Sequence, residues 1–137
     1  MSHKKDNKAQ SQTNDMKILI VEARKELGEI WARHLTRQGG TVTLVGNQED
    51  AIAALYKSDY AILVLDLVLD GGSALAIADF ASYRRPDARV IFVTNTTFFS
   101  DGSIFQHCGN ACAFLRTGTP PEDLAAMVEH FGRPRRA

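Results

Sequence analysis

Three polar side chains stand where apolar runs stop, and they are the residues best placed to do chemistry. Asp66 ends the run Ala61–Leu65 within AILVLDLVLDGG, Glu22 ends KILIV (Lys17–Val21), and Thr94 ends VIFV. A continuous Val/Ile/Leu run bounded by a turn, here Asp70-Gly71-Gly72, has the composition of a strand buried on both faces. Ligands of open α/β sheets bind just beyond the carboxyl ends of such strands. Two carboxylates and a hydroxyl at such strand ends would line a ligand crevice. Asp66 alone would read as the start of a loop. The company of Glu22 and Thr94 makes it a candidate site.

The remaining chain supplies the elements that must position these residues. Strands are expected at Lys17–Val21, Thr41–Val45, Ala61–Leu65, Val90–Thr94 and Ala111–Leu115, the second by its alternation and β-branched bias. Leu27, Ile30, Trp31, His34 and Leu35 fall on one face of a first helix, which Gly39-Gly40 stops. Asn47 is a good N-cap for a short second helix, with Asp50 three residues on and a stripe of Ala51, Ile52, Leu55 and Tyr56. A third helix is expected over Ser73–Tyr83, closed by Arg84-Arg85-Pro86. Residues 95–110 read as a long loop with a short helix using Ile104 and Phe105. Thr119 as cap, Pro120 at the first helical position and Glu122 completing a capping box start the last helix, whose stripe is Leu124, Ala125, Met127, Val128 and Phe131.

Strands each followed by a helix specify α/β architecture: a five-stranded parallel sheet with helices on both faces, flavodoxin-like in topology. The crevice falls between strands one and three, where strand order reverses. Residues 16–132 are expected to form one domain, after a disordered polar tail (1–15) and before a short basic, solvated tail (133–137).

Composition narrows the function. Sixteen basic and sixteen acidic residues balance, leaving no field to hold nucleic acid or an anionic membrane. No apolar run is long enough to span a bilayer, and the N-terminus lacks a signal-peptide core, so a cytoplasmic location is expected. Cys108 and Cys112, even with His107, lack the paired spacing of a zinc site and read as buried free thiols.

With these residues in place, the chain resembles the receiver domain of bacterial two-component response regulators, including the single-domain chemotaxis regulator. The resemblance runs from Lys17 to Phe131. DLVLDGGSAL is similar to the phosphoacceptor loop, KILIVE to the first strand, VIFVT to the fourth, and AFLRTGTPPEDL to the last strand and helix. It implies that Asp66 is the phosphoacceptor, that Thr94 contacts the phosphoryl group, and that Phe114 is the aromatic switch. It implies a magnesium site made of Glu22, Asp66 and the backbone carbonyl of Val68.

The sequence departs from the family pattern at telling positions. Ala23 stands where the second acid of the metal site belongs, and Thr117-Gly118 where a lysine and proline belong. Asp70 replaces a common proline, and Asn95 a small residue beside the phosphate. At ~4 Å in a half-screened site, each repulsion between unit charges is on the order of a few kcal/mol. Phosphoryl transfer is mostly positioning and charge neutralisation. A threonine hydroxyl donates a hydrogen bond but carries no charge. Arg116 points away by strand alternation. Arg24, just past Glu22, could pair with Asp66 or Glu22 and occupy the metal's place; otherwise it is a solvated residue at a helix start.

The expectation is an atypical receiver with a degenerate site and weak or absent magnesium binding, acting mainly by protein–protein contact and not as an enzyme beyond self-phosphorylation. Expected partners are a sensor histidine kinase or histidine phosphotransfer protein, and a downstream protein. The downstream partner or a second copy would use the face of the fourth helix, fifth strand and fifth helix, which carries Phe98, Phe99, Phe105 and Phe114. With the chain given ending soon after Phe131, output is expected through a separate protein unless this chain is a fragment of a longer one. Two alternatives stay open: a phosphorylation-competent stand-alone regulator or phosphate sink, and a flavodoxin-like small-molecule binder. The second lacks a glycine-rich phosphate loop.

Overall fold

The computed structural model describes residues 16–69, 71–94 and 109–133. Element order is β1 (Lys17–Val21), α1 (Lys25–Arg37), β2 (Thr41–Val45), α2 (Gln48–Lys57), β3 (Ile62–Asp66), α3 (Ala74–Arg84), β4 (Arg89–Thr94), β5 (Ala111–Arg116) and α4 (Pro121–Gly132). The five strands form one sheet in the order β2-β1-β3-β4-β5, and every pairing is parallel. Strand order reverses at β1, as the alternation of strand and helix patterns implies.

Period-two alternation divides the central strands between two cores. Leu19, Val21, Leu63, Leu65, Val90 and Phe92 point to the face covered by α2 and α3, which contribute Leu55, Ile77 and Ala81. Ile18, Ile20, Ile62, Val64, Ile91 and Val93 point to the other face, under α1 and α4, where Trp31, Leu35, Leu124 and Val128 close the layer. Burial on both faces is why β3 has no polar residue before Asp66.

Local chemistry sets the ends. The Asn47 side chain accepts the Asp50 N–H at 2.8 Å and caps α2. Arg85 closes the same helix from outside, donating Nε to the Leu55 carbonyl at 2.9 Å and Nη2 to that of Tyr56 at 3.2 Å.

Several sequence expectations shift. The start of α4 moves one residue: Pro120, not Thr119, is the cap, and Pro121 opens the helix without a side-chain capping bond. The residue before a proline is driven from the helical region, so Pro120 stays extended at φ −56°, ψ 140°. Edge strand β2 spans the expected Thr41–Val45 and is half-buried along most of its length. Ile30 and Tyr56 are exposed, and Tyr56 packs beneath the Arg84 guanidinium. The expected short helix before β5, with Ile104 and Phe105, lies outside the described residues, as do the N-terminal tail, residues 134–137, Phe98, Phe99, His107 and Cys108.

The two-core arrangement predicts a contrast. Leu63→Ala removes a side chain with no exposure and should cost about 2–5 kcal/mol in urea unfolding. Ile30→Ala, on the outer face of α1, should cost less than about 1 kcal/mol.

Candidate functional site

Sheet register brings the two acids together. Val21 of β1 pairs with Leu65 of β3, so Glu22 and Asp66 stand abreast one residue further on, at the carboxyl ends of neighbouring strands. Both are about 2% exposed, and Thr94 at the end of β4 is equally buried. The ladder continues past them: Glu22 N–H donates to Val45 O at 3.0 Å and Leu67 N–H to Val93 O at 2.9 Å. The strand ends are thereby rigid.

Helix α1 supplies the third member. Its N-cap is Arg24, which makes no side-chain cap. The guanidinium instead spans the two acids: Nη2 donates to Asp66 Oδ2 at 3.0 Å and Nε to Glu22 Oε2 at 3.2 Å. The Arg24 backbone N–H also donates to Glu22 Oε2, at 2.8 Å. Glu22 thus places its carboxylate at the positive end of α1. Asp66 Oδ1 accepts the Val68 N–H at 2.9 Å, so both of its oxygens are engaged. The Arg24 side chain remains 53% exposed, while those of Glu22 and Asp66 are 0% and 2% exposed.

Gly28, one turn into α1, lets the helix lie this close. A Cβ there would sit 2.7 Å from Leu44 Cδ1 and 3.4 Å from Glu22 Cβ. A second close approach fixes the loop after Asp66. Gln48 Oε1 accepts the Ser73 N–H at 2.7 Å, and Ser73 caps α3 by accepting the Ala76 N–H. A Cβ on Gly72 would fall 2.6 Å from Gln48 Cβ. The start of α2 is therefore strapped to the loop that carries Val68. Sequence reasoning did not find Gln48; a Gly-Gly-Ser turn before an alanine-rich helix was the available signal.

The electrostatics follow from burial. Desolvation, reinforced by a hydrogen bond and repulsion from Asp66, pushes the Glu22 carboxyl up to about 7 against the opposing Arg24 bonds. Glu22 Oε1 is buried without a hydrogen-bond partner. Desolvation would lower the Arg24 pKa, but the hydrogen bonds to Asp66 and then Glu22 outweigh it and raise it, so Arg24 stays charged.

The other candidate residues are placed as follows. Ala23 is partly buried and brings only a methyl group. The Val68 side chain is exposed. Thr117 donates its N–H to Thr94 O at 2.8 Å, and its Oγ1 is buried with no partner. Arg116 is exposed. Phe114 is half-buried and packs against the core under α2 and α3. Asp70 and Asn95 lie outside the described residues.

A magnesium ion would need about six oxygens at close to 2.1 Å, drawn from Glu22, Asp66, the Val68 carbonyl and water. Glu22 Oε2 and Asp66 Oδ2 already carry the Arg24 guanidinium. The guanidinium charge opposes the approach of a divalent ion to the same oxygens. Among the described residues no three His, Cys, Asp or Glu side chains converge as a metal-binding group. The arrangement as it stands does not fit a resident magnesium.

Comparison with known proteins agrees with this architecture. No protein-family model matches the chain. It is 36% identical over 87 residues to the transcriptional regulatory protein TcrA of Mycobacterium tuberculosis, a match covering 64% of this chain and 34% of that protein. The chain therefore spans about a third of the length of the curated relative it matches. Among solved structures, a CheY-like response regulator receiver domain from Methanospirillum hungatei superposes with a TM-score of 0.76 at 20% identity, covering 84% of this chain and 91% of that one. Response regulator TrrA of Thermotoga maritima, solved in complex with Mg(2+)-BeF, gives 0.74 at 20% identity, covering 85% and 98%. The fold is that of a response regulator receiver domain. Among the described residues no helix is long and apolar enough to cross a membrane.

The raised Glu22 pKa predicts a pH dependence. Unfolded, Glu22 titrates near 4.5; folded, near 7. Between these values the folded state holds the extra proton, so stability falls as pH rises from about 4.5 through about 7 and then levels, by on the order of 3 kcal/mol. Glu22→Gln should remove this contribution. Urea midpoints of variant and wild type should differ little near pH ~4, and the variant should be the more stable near pH ~8.

Proposed function

We propose that this chain is an atypical response regulator receiver that signals mainly through protein contact, with Asp66 a slow or silent phosphoacceptor. The Arg24–Asp66 ion pair at 3.0 Å carries the reading. A phosphoryl donor approaching Asp66 Oδ2 must first displace a guanidinium. Ala23 and Thr117 meanwhile supply neither the acid nor the cation with which the resembling family offsets the incoming charge. Thr117 Oγ1, buried and unpartnered, offers a hydrogen bond and no charge.

Upstream, the partner is a sensor histidine kinase or a histidine phosphotransfer protein, with magnesium contributing weakly or not at all. Downstream, a separate protein or a second copy docks at the β5 edge of the sheet beside α4; Phe114 lies on the opposite face of β5 from α4, half-buried against the core under α2 and α3. The similarity to a transcriptional regulatory protein supports a place in two-component signalling.

The test is incubation with acetyl phosphate and magnesium, followed by intact-mass measurement of an acid-labile adduct. Wild type should react at least ~100-fold more slowly than the double variant Ala23→Asp, Thr117→Lys, which restores the anchoring acid and the cation. Ready adduct formation on wild-type Asp66 would make the chain a phosphorylation-competent regulator or phosphate sink instead.

A further inference from the structure

We infer that Arg24 is the resident cation of this site, in place of a divalent metal, and that it keeps the strand ends in one arrangement whether or not divalent ions are present. This inference concerns the site of the proposed function but does not depend on whether Asp66 accepts a phosphoryl group.

Three observations carry it. The guanidinium contacts both acids through separate nitrogens, Nη2 on Asp66 Oδ2 and Nε on Glu22 Oε2, so one side chain bridges the two carboxylates as an ion between them would. The bridge is held at its root, because the Arg24 backbone N–H bonds the same Glu22 oxygen and Arg24 O accepts the Gly28 N–H at 3.0 Å in the first turn of α1. Ala23 brings no further carboxylate, so the two acids and one guanidinium come within a single charge of balance.

A tethered cation competes with a free one at a high effective concentration, and chelation cannot remove it. About half of the Arg24 side chain is exposed, so its charge escapes the full desolvation that a buried arginine would suffer. The site thus presents partners with the same charge and shape at any magnesium concentration.

The test uses the full chain, labelled for amide NMR, with manganese added to about millimolar as a paramagnetic probe. Wild type should show no selective broadening at the Glu22 and Val68 amides. Arg24→Ala and the shorter, neutral Arg24→Gln should both broaden there, with apparent manganese affinity at least ~10-fold tighter than wild type. Arg24→Gln keeps the test decisive if the alanine variant unfolds. Wild type broadening at the same manganese concentration as the variants would overturn the inference, as would variants that stay unaffected. Acetyl phosphate separates the two proposals. Rapid adduct formation in wild type with metal chelated would sink the slow-acceptor reading alone, and selective wild-type broadening without adduct would sink the resident cation alone.

Discussion

Two carboxylates are buried side by side at the carboxyl end of the central strands, and the site is arranged around making that tolerable. Buried acids of like charge must be paired, hydrogen-bonded or protonated. All three remedies operate here. Arg24 pairs with both acids. Asp66 Oδ1 takes the Val68 amide. Glu22 has its proton affinity raised by desolvation and by Asp66. Helix α1 gives up a conventional cap so that its N-cap residue can serve the site. A Ser, Thr, Asp or Asn at that position would favour the helix by about 1 kcal/mol, and the Glu22 carboxylate offsets part of the loss by accepting the Arg24 N–H.

The sheet makes this cluster possible by holding its members in register. Parallel pairing of β1 with β3 fixes Glu22 beside Asp66, and pairing of β3 with β4 brings Thr94 to the same edge. Each strand is locked by apolar packing on both faces, so the polar ends cannot slip inward without inverting an entire face. Precision at the site is therefore a property of residues such as Ile18, Leu63 and Val64, none of which touches it. The chain after Asp66 is tied down separately by Gln48 on Ser73 and by the close approach of Gly72 to Gln48.

Much of this was legible in the sequence because the signals were redundant. Five apolar runs, each ended by a turn or a polar residue, fix the parallel sheet, and Asn47 with Asp50 fixes a helix start that the structure reproduces. Where a signal was single or contradictory, the sequence misled. Thr119-Pro120-Pro121-Glu122 satisfies a capping-box pattern, yet the second proline overrides it by holding Pro120 extended. The strap from Gln48 to Ser73 spans 25 residues and leaves no periodic trace.

Arg24 lies between these cases. Its charge and its place after Glu22 were visible, but a surface arginine at a helix start looks much the same. The discriminating feature is what the position lacks. A helix start ordinarily recruits a small side chain able to accept a backbone N–H, and a long cationic one there is a poor choice unless it is committed elsewhere. Glu22, two residues earlier, is that commitment's first half: it takes over the capping of α1 and becomes a buried anion in need of a cation. Asp66, brought abreast by β-sheet register, is the second half. Ala23, between Glu22 and Arg24, adds only a methyl group, so the cluster's charge is set by two acids and one guanidinium. The two buried acids thus have a counter-charge supplied by the chain itself, through one guanidinium anchored at the start of α1.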